Sequence, residues 1–157
     1  MDSVDRRLLD ALRANARATY AELARLVNLS APAVHERVAK LEAAGVITGY
    51  HAAVAVESLG FAINALIGIF VNDRADTDDL AAALAALPAV EHCWFVAGEE
   101  TFVVKVRVPD VAGLERAIRT LNAINGVART RTTVVLSTKF EDRVQPVELP
   151  VDLGRVC

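Results

Sequence analysis

The sequence predicts an α+β protein in which a small helical domain precedes a β-α-β-β-α-β sandwich. Two capped amphipathic helices separated by a three-residue turn lie in the first third, runs rich in β-branched residues begin near residue 62, and a β-α-β order then occurs twice. A chain of 157 residues is long enough for two small domains. We assign residues 1–52 to the helical domain, 53–61 to a linker, 62–140 to the sandwich and 141–157 to a tail.

Composition and charge narrow the possible classes of protein. Hydrophobic residues make up 54% of the chain and charged residues 24%, which favours a packed core and disfavours disorder. The net charge is −3, yet residues 1–50 contain seven basic and six acidic side chains. Only this first third is therefore suited to facing phosphates, and its weak charge indicates that tight binding to DNA needs several copies of the chain.

The cysteines and the hydropathy of the sequence predict neither a metal or disulfide framework nor a membrane segment. Cys93 and Cys157 form neither a metal-ligand spacing nor a disulfide framework. The sequence has no positively charged leader before an apolar stretch and no apolar run of about 20 residues. We therefore expect a cytoplasmic protein that does not associate with a membrane.

Three short helices are predicted in the first fifty residues. Ser3 is expected to cap the first, and Thr19 with Glu22 forms a capping box at the start of the second. Asn28 ends the second helix, and Ser30 caps the third. The positions predicted to face inward are Val4, Leu8, Leu9 and Leu12, then Tyr20, Leu23, Ala24 and Val27, and then Val34, Val38 and Leu41.

Two helices joined by a tight turn, the second of them well capped, are the arrangement that reads DNA, and an ordinary helical hairpin is the alternative. The first two turns of the outward-facing side of the third helix should meet base edges, whereas Lys40 lies later and suits a phosphate. The candidate DNA-binding residues are Ser30, Pro32, Ala33, His35, Glu36, Arg37 and Lys40. After Gly45, residues 46–52 are β-branched and aromatic and predict a strand.

The second half predicts four strands and two helices. The strands are expected at Ile63–Val71, 90–97, Phe102–Val108 and 127–139, and the helices begin at Asp76 and Asp110. Right-handed crossovers then give a ferredoxin-like sheet of four antiparallel strands with both helices on one face. Apolar side chains on the other face predict burial against another subunit.

Several motifs along the chain resemble the Lrp/AsnC, or feast or famine, family of regulators. They are Leu29-Ser30, Arg37-Val38, Leu41-Glu42, Ala44-Gly45-Val46-Ile47, Gly49-Tyr50-His51-Ala52, Leu87-Pro88-Ala89-Val90, Gly98, Gly126-Val127, Thr130-Arg131-Thr132 and Val134-Val135. The resemblance covers about residues 2–140. It implies a winged helix-turn-helix that binds double-stranded DNA, followed by a ferredoxin-like domain for ligand binding and oligomerisation. It also implies a homodimer formed by the sheets, often four dimers in an octameric ring, and an amino-acid effector between dimers near the hairpin.

The hairpin loop departs from the family pattern. The family commonly has Gly-Asp-Tyr-Asp-Tyr there, whereas this chain has Gly98-Glu99-Glu100-Thr101-Phe102. Glu99 keeps the first acid in a longer form, and Thr101 replaces the second, so a carboxylate that could hold an α-ammonium group is missing or moved. Our hypothesis is that Gly98, Glu99, Glu100 and Thr101 still line an effector pocket; the alternative is a simple hairpin turn.

Two functions of other classes remain as alternatives. Haem-pathway decarboxylases of similar architecture use His and Arg over the open sheet, but only His92 of the three histidines is predicted there. No nucleophile–base pair, metal cluster or glycine-rich phosphate loop is present in the sequence, so we expect no catalytic residue, metal or cofactor. The second alternative is an assembly module without DNA binding, against which Arg37 and Lys40 remain on the predicted exposed side of the third helix.

Overall fold

The computed structural model describes residues 1–143, apart from the side chain of Glu57. Most of the predicted tail, from residue 144 onwards, lies outside the described residues. The chain divides into two compact units: Met1–Ala53, with which the described residues 140–143 are grouped, and Val54–Lys139. Within residues 1–143, no helix is both long and apolar enough to span a bilayer.

The element order agrees with the predicted architecture. The first unit contains three helices, α1 (Ser3–Ala14), α2 (Tyr20–Val27) and α3 (Ala31–Ala43). The second begins with a short 3₁₀ helix at Val56–Leu59 and continues as β1 (Ile63–Val71), α4 (Thr77–Ala85), β2 (Val90–Phe95), β3 (Phe102–Val108), α5 (Val111–Asn122) and β4 (Val127–Val135).

The cap of α1 differs from the prediction. Asp2, and not Ser3, is the N-cap residue. The Asp2 carboxylate accepts from the Asp5 N–H at 2.9 Å, and the Asp5 carboxylate accepts from the Asp2 N–H at 2.9 Å. This reciprocal pair satisfies two amides at the helix start and places negative charge at the positive end of the helix dipole, so it stabilises the start better than a lone serine.

The three helices pack around one apolar cluster. Leu8 and Val34 are completely buried, and the other members are Leu12, Leu23, Ala24, Val27 and Val38. Leu9 and Leu41 are buried too, and Val4 is partly buried, which confirms the predicted inward positions with one exception. Tyr20 remains 40% exposed, and its ring packs edge-on against the ring of the exposed His35, with the two centroids 5.0 Å apart.

The strand predicted at residues 46–52 is wrong. Across Met1–Ala53, all of which the structure describes, no residue is in a strand. A strand needs a neighbour to pair its N–H and C=O groups, and the residues of this unit are helices and turns. The segment follows the end of α3 instead: the Val46 and Ile47 N–H groups both donate to the Leu41 carbonyl, at 2.9 and 3.2 Å.

The second unit is the predicted ferredoxin-like sheet. The strand order is β2-β3-β1-β4, and all three pairings are antiparallel. β2 ends at Phe95 and β4 at Val135, before the predicted residues 97 and 139. β4 stops there because Val135 pairs with Asn64, almost the first residue of β1, and the ladder has no further partner.

The two faces of the sheet differ more than the sequence analysis predicted. Ala65, Ile67 and Ile69 are completely buried beneath α4 and α5 with the side chains of β3 that lie beside them. The opposite face, which we call the open face, carries exposed Leu66 and Trp94. It is not uniformly apolar, because alternation along β3 and β4 also places four basic side chains on it: Lys105, Arg107, Arg129 and Arg131.

The charge on the open face is largely paired. Lys105 is 5% exposed, and its Nζ lies 2.9 Å from the Glu91 carboxylate, which also accepts from Arg107 Nε at 3.2 Å. Burial alone would raise the pKa of Glu91, but the bonds and charges of Lys105 and Arg107 outweigh it and hold that pKa below its usual value. The Arg129 guanidinium carbon lies 3.3 Å from the centre of the Phe70 ring.

Candidate nucleic-acid interface and effector loop

The turn before α3 sets the angle at which that helix leaves α2. Asn28 has the left-handed conformation (φ 62°), and its N–H donates to the Ala24 carbonyl as the C-cap of α2. Ser30 then caps α3, with its hydroxyl accepting from the Ala33 N–H at 3.4 Å. Pro32, in the first turn, supplies the helical φ without needing a donor. These local signals place the N-terminus of α3 at the end of a fixed turn.

Most of the predicted DNA-binding residues lie on one exposed side of α3. Val34, Val38 and Leu41 anchor the helix to the core. The candidates on α3 face away from these three residues. Four of them are exposed: Pro32, His35, Glu36 and Lys40. The other two, Ala33 and Arg37, are partly buried at one edge of the exposed side. A helix presenting this side on a packed base is accessible to a DNA groove.

Arg37 is held by the start of α1, which the sequence analysis did not predict. Its Nη1 lies 2.7 Å from the Asp2 carboxylate and 2.7 Å from the Asp5 carboxylate. The two carboxylates raise the pKa of Arg37, while the Asp5 backbone amide and then Arg37 lower the pKa of Asp2. The capping box of α1 therefore also orients a side chain at the edge of the candidate DNA-binding surface.

Glu36 and Lys40 form an exposed pair on the same helix. Lys40 Nζ lies 2.7 Å from Glu36 Oε1, with the two side chains 74% and 69% exposed. The hydrogen bond and charge of Lys40 lower the pKa of Glu36. An exposed pair four residues apart contributes little to stability, so Lys40 can leave Glu36 at small cost.

Tyr50 links the segment after α3 to the helix itself. Its hydroxyl donates to Glu42 Oε1 at 2.8 Å. Burial, followed by the hydrogen bond and negative charge of Glu42, raises the pKa of Tyr50 to about 12. The Tyr50–Glu42 bond thus holds residues 46–52 close to α3 without a strand.

Glu42→Gln is expected to lower the pKa of Tyr50 toward 10, the usual value for tyrosine, because it removes the charge that disfavours the phenolate. Because the pKa of Tyr50 is raised on folding, the neutral phenol stabilises the folded state. This stabilisation is complete below pH 10 and is lost as the pH rises through about 12. Phenolate absorbance against pH in a Tyr20→Phe background, where Tyr50 is the remaining tyrosine, measures it. An identical titration curve with and without the Glu42→Gln substitution would show that Glu42 has no such effect.

Two contacts tie the predicted effector loop to the sheet. One is a backbone hydrogen bond, and the other is made by Arg131, which the sequence analysis did not assign to this site. The Thr101 N–H donates to the Ile69 carbonyl at 2.9 Å. Gly98 and Glu99 are exposed, whereas the Glu100 side chain is only 14% exposed and forms an ion pair with Arg131. Arg131 Nη1 also lies 3.6 Å from the Glu99 carboxylate. The loop and β4 thus bring two carboxylates and one guanidinium together.

Gly68 makes room for this arrangement. It pairs with Arg131 across the β1–β4 ladder, and a Cβ at this position would lie 2.5 Å from Glu100 Cγ. A larger residue would push the Glu100 side chain off the sheet. The signal available in the sequence was a glycine within a largely apolar strand, which often marks a close approach of another group.

The alternative of an enzyme receives no support from the sheet. The His92 ring stacks on the Trp94 ring, with centroids 5.4 Å apart and planes 9° from parallel. Among the described residues, no three His, Cys, Asp or Glu side chains form a group that could hold a metal ion. The geometry of His92 is that of an aromatic packing contact.

Both units match known protein families. Residues 1–42 match the AsnC-type helix-turn-helix domain, and residues 64–145 match the Lrp/AsnC ligand binding domain. The chain is 40% identical over 143 residues to the HTH-type transcriptional regulator LrpA of Mycobacterium tuberculosis, covering 91% of this chain and 95% of that protein. It is 31% identical to the regulatory protein AsnC of Escherichia coli, covering 93% and 97%.

Solved structures give the same result. The crystal structure of the M. tuberculosis leucine response regulatory protein LrpA has a TM-score of 0.83 and 38% identity, covering 93% of this chain and 99% of that one. The M. tuberculosis feast or famine regulatory protein complexed with L-methionine has a TM-score of 0.87 and 39% identity, covering 92% and 98%.

Together with the exposed α3 that follows a tight turn, these matches identify the chain as a DNA-binding transcription regulator. The chain belongs to the Lrp/AsnC family of such regulators.

Proposed function

We propose that α3 is the recognition helix and that its exposed side enters the major groove. The observation that carries this assignment is that Val34 and Val38 fix the helix from below while the opposite side remains free. Pro32, Ala33, His35, Glu36 and Arg37 would meet base edges, Lys40 a phosphate, and Ser30 the backbone at the helix start. We assign DNA binding to residues 1–52, a linking role to 53–61, and assembly and effector binding to 62–140.

A band shift on the DNA upstream of the chain's own gene tests this proposal. Binding should weaken steadily as salt increases, because each phosphate contact releases counterions. Lys40→Ala should weaken binding similarly on specific and unrelated duplexes and reduce the salt slope by about 1. Arg25→Ala on α2, outside the proposed contacts, is the matched charge control. An absent or salt-independent shift would favour the assembly module without DNA binding.

We propose that an amino acid or a related small molecule binds near Gly98, Glu99, Glu100 and Thr101. A feast or famine protein of M. tuberculosis was solved with L-methionine. In this chain the loop offers carboxylates for an ammonium group, and Arg131 offers a guanidinium for a carboxylate. The Arg131 guanidinium and the loop carboxylates already pair with each other, so a zwitterionic ligand must replace that internal ion pair.

The expected result is a rise in the unfolding temperature with at least one of the twenty amino acids at millimolar concentration, since a ligand of the folded state stabilises it. Arg131→Gln should abolish the rise, because it removes the partner of the ligand carboxylate. Arg129→Gln is the control, since Arg129 is on the same strand and lies over Phe70. No shift with any amino acid would reduce residues 98–101 to a hairpin turn.

We also propose that the open face joins two copies of the chain and that dimers assemble further, with an octamer as the expected form. Exposed Leu66 and Trp94 support an interface there. We assign no catalytic residue and no cofactor to this chain.

A further inference from the structure

A groove separate from the effector loop lies at the edge of the second unit. It runs between α5 and the segment that joins α4 to β2, and it has a volume of about 340 Å³. Its walls are mainly apolar and include Leu87, Val90, Val106, Val108, Ala117 and Leu121. Sites for small molecules range from about 300 to 1,000 Å³, so the groove has room for a small ligand and not for a large cofactor.

Among its lining residues the groove has one charged side chain, that of Arg116, and its charge is positive. Arg116 and Thr120, one turn apart on α5, line it, and the lining residues include no acid. The nearby Glu115 carboxylate is engaged elsewhere, since Arg119 Nη2 donates to it at 2.5 Å. Within residues 1–143, the Arg116 guanidinium has neither an ion pair nor a hydrogen-bond partner. The groove therefore combines apolar walls with a guanidinium, that of Arg116, whose charge no neighbouring acid neutralises.

We propose that this groove binds a small carboxylate with a branched apolar tail and no amino group. The tail would lie against the partly exposed Leu87 and Ala117, and the carboxylate would accept two parallel hydrogen bonds from Arg116. A free α-ammonium group would find no acidic partner there and would lose hydration without compensation. The groove and the effector loop thus select different ligands, the loop for a zwitterion and the groove for its deaminated analogue.

Calorimetric titration of the full chain with isocaproate tests the proposal, with isocaproamide and leucine as comparison ligands. Isocaproate should bind, and isocaproamide should bind about tenfold more weakly, since it loses a charge-assisted pair. Arg116→Gln should weaken isocaproate binding by a similar factor. Arg119→Gln, on the same helix but paired with Glu115, is the matched control and should leave binding unchanged.

Two further variants separate the groove from the other surfaces. Ala117→Leu should abolish isocaproate binding by filling the groove, whereas Arg131→Gln, in the proposed effector site, should not affect it. No binding of isocaproate, equal binding by the Arg116→Gln variant, or loss of binding in Arg131→Gln would overturn the proposal. So would a change in oligomeric state with Arg116→Gln, because the groove would then be a contact between copies of the chain.

Discussion

Leu8→Ala is expected to destabilise the helical unit by about 2–5 kcal/mol, the usual cost of removing a buried leucine side chain. Leu8 is completely buried in the cluster that joins α1 to α2 and α3. A unit of this size has a total stability of roughly 3–8 kcal/mol, so the variant loses a large part of it. Because α3 depends on that cluster for its position, DNA binding should weaken as the folded fraction of the unit falls.

Leu26→Ala is the matched control for this prediction. Leu26 lies on α2 and is 48% exposed, so its truncation should change stability by no more than about 0.5 kcal/mol. Denaturant unfolding followed by circular dichroism gives the free energies, and a band shift gives DNA binding. If Leu8→Ala unfolded at the same denaturant concentration as Leu26→Ala, the packing described for the helical unit would be wrong.

Arg37→Ala is expected to weaken binding to the specific DNA site by roughly ten- to a hundredfold, while binding to unrelated DNA changes much less. Arg37 lies at the edge of the exposed side of α3, and under the proposed docking its guanidinium would face a guanine edge, the base that arginine recognises with two hydrogen bonds. Titrations of matched and scrambled duplexes at one salt concentration measure the two affinities. An equal loss on both duplexes would make Arg37 a contact to the DNA backbone.

The pairing of Arg37 with α1 calls for a second variant. Asp2→Asn combined with Asp5→Asn removes both carboxylates that hold the guanidinium but leaves Arg37 in place. If Arg37 contacts DNA, this variant should bind at least as tightly as the unmodified chain, because two negative charges near the proposed interface are gone. If Arg37 only fixes α1 against α3, the double variant should lose affinity as Arg37→Ala does.

The sequence predicted those parts of the fold that depend on neighbouring residues. Thr19 and Glu22 form the capping box expected from their spacing, and β1 and β3 have the predicted bounds. The cap of α1 was also predictable, since Asp2 and Asp5 have the same spacing as Thr19 and Glu22. Asp2 and Ser3 both favour the N-cap position, and Asp2 occupies it with Asp5 as its partner.

The parts that the sequence did not predict depend on contacts between distant residues. Arg37 meets Asp5 across 32 positions and Arg131 meets Glu100 across 31, and no local pattern links either pair. The strand expected at residues 46–52 has suitable residues but no pairing partner in its unit. In the effector loop, the sequence shows that Thr101 replaces an acid of the family pattern. It does not show that Glu100 pairs with Arg131, because that ion pair depends on the β1–β4 register.

The most direct test of the central claim is DNA cleavage by an iron chelate tethered to α3. The reagent is attached through Glu36→Cys in a Cys93→Ser, Cys157→Ser background, and Asn15→Cys, at the C-terminal end of α1, carries it in the control. We predict that the chelate at position 36 cuts a few adjacent nucleotides facing the major groove of the bound site, and that the control does not. Diffuse cleavage, or none while the protein is bound, would contradict the assignment of α3 as the recognition helix.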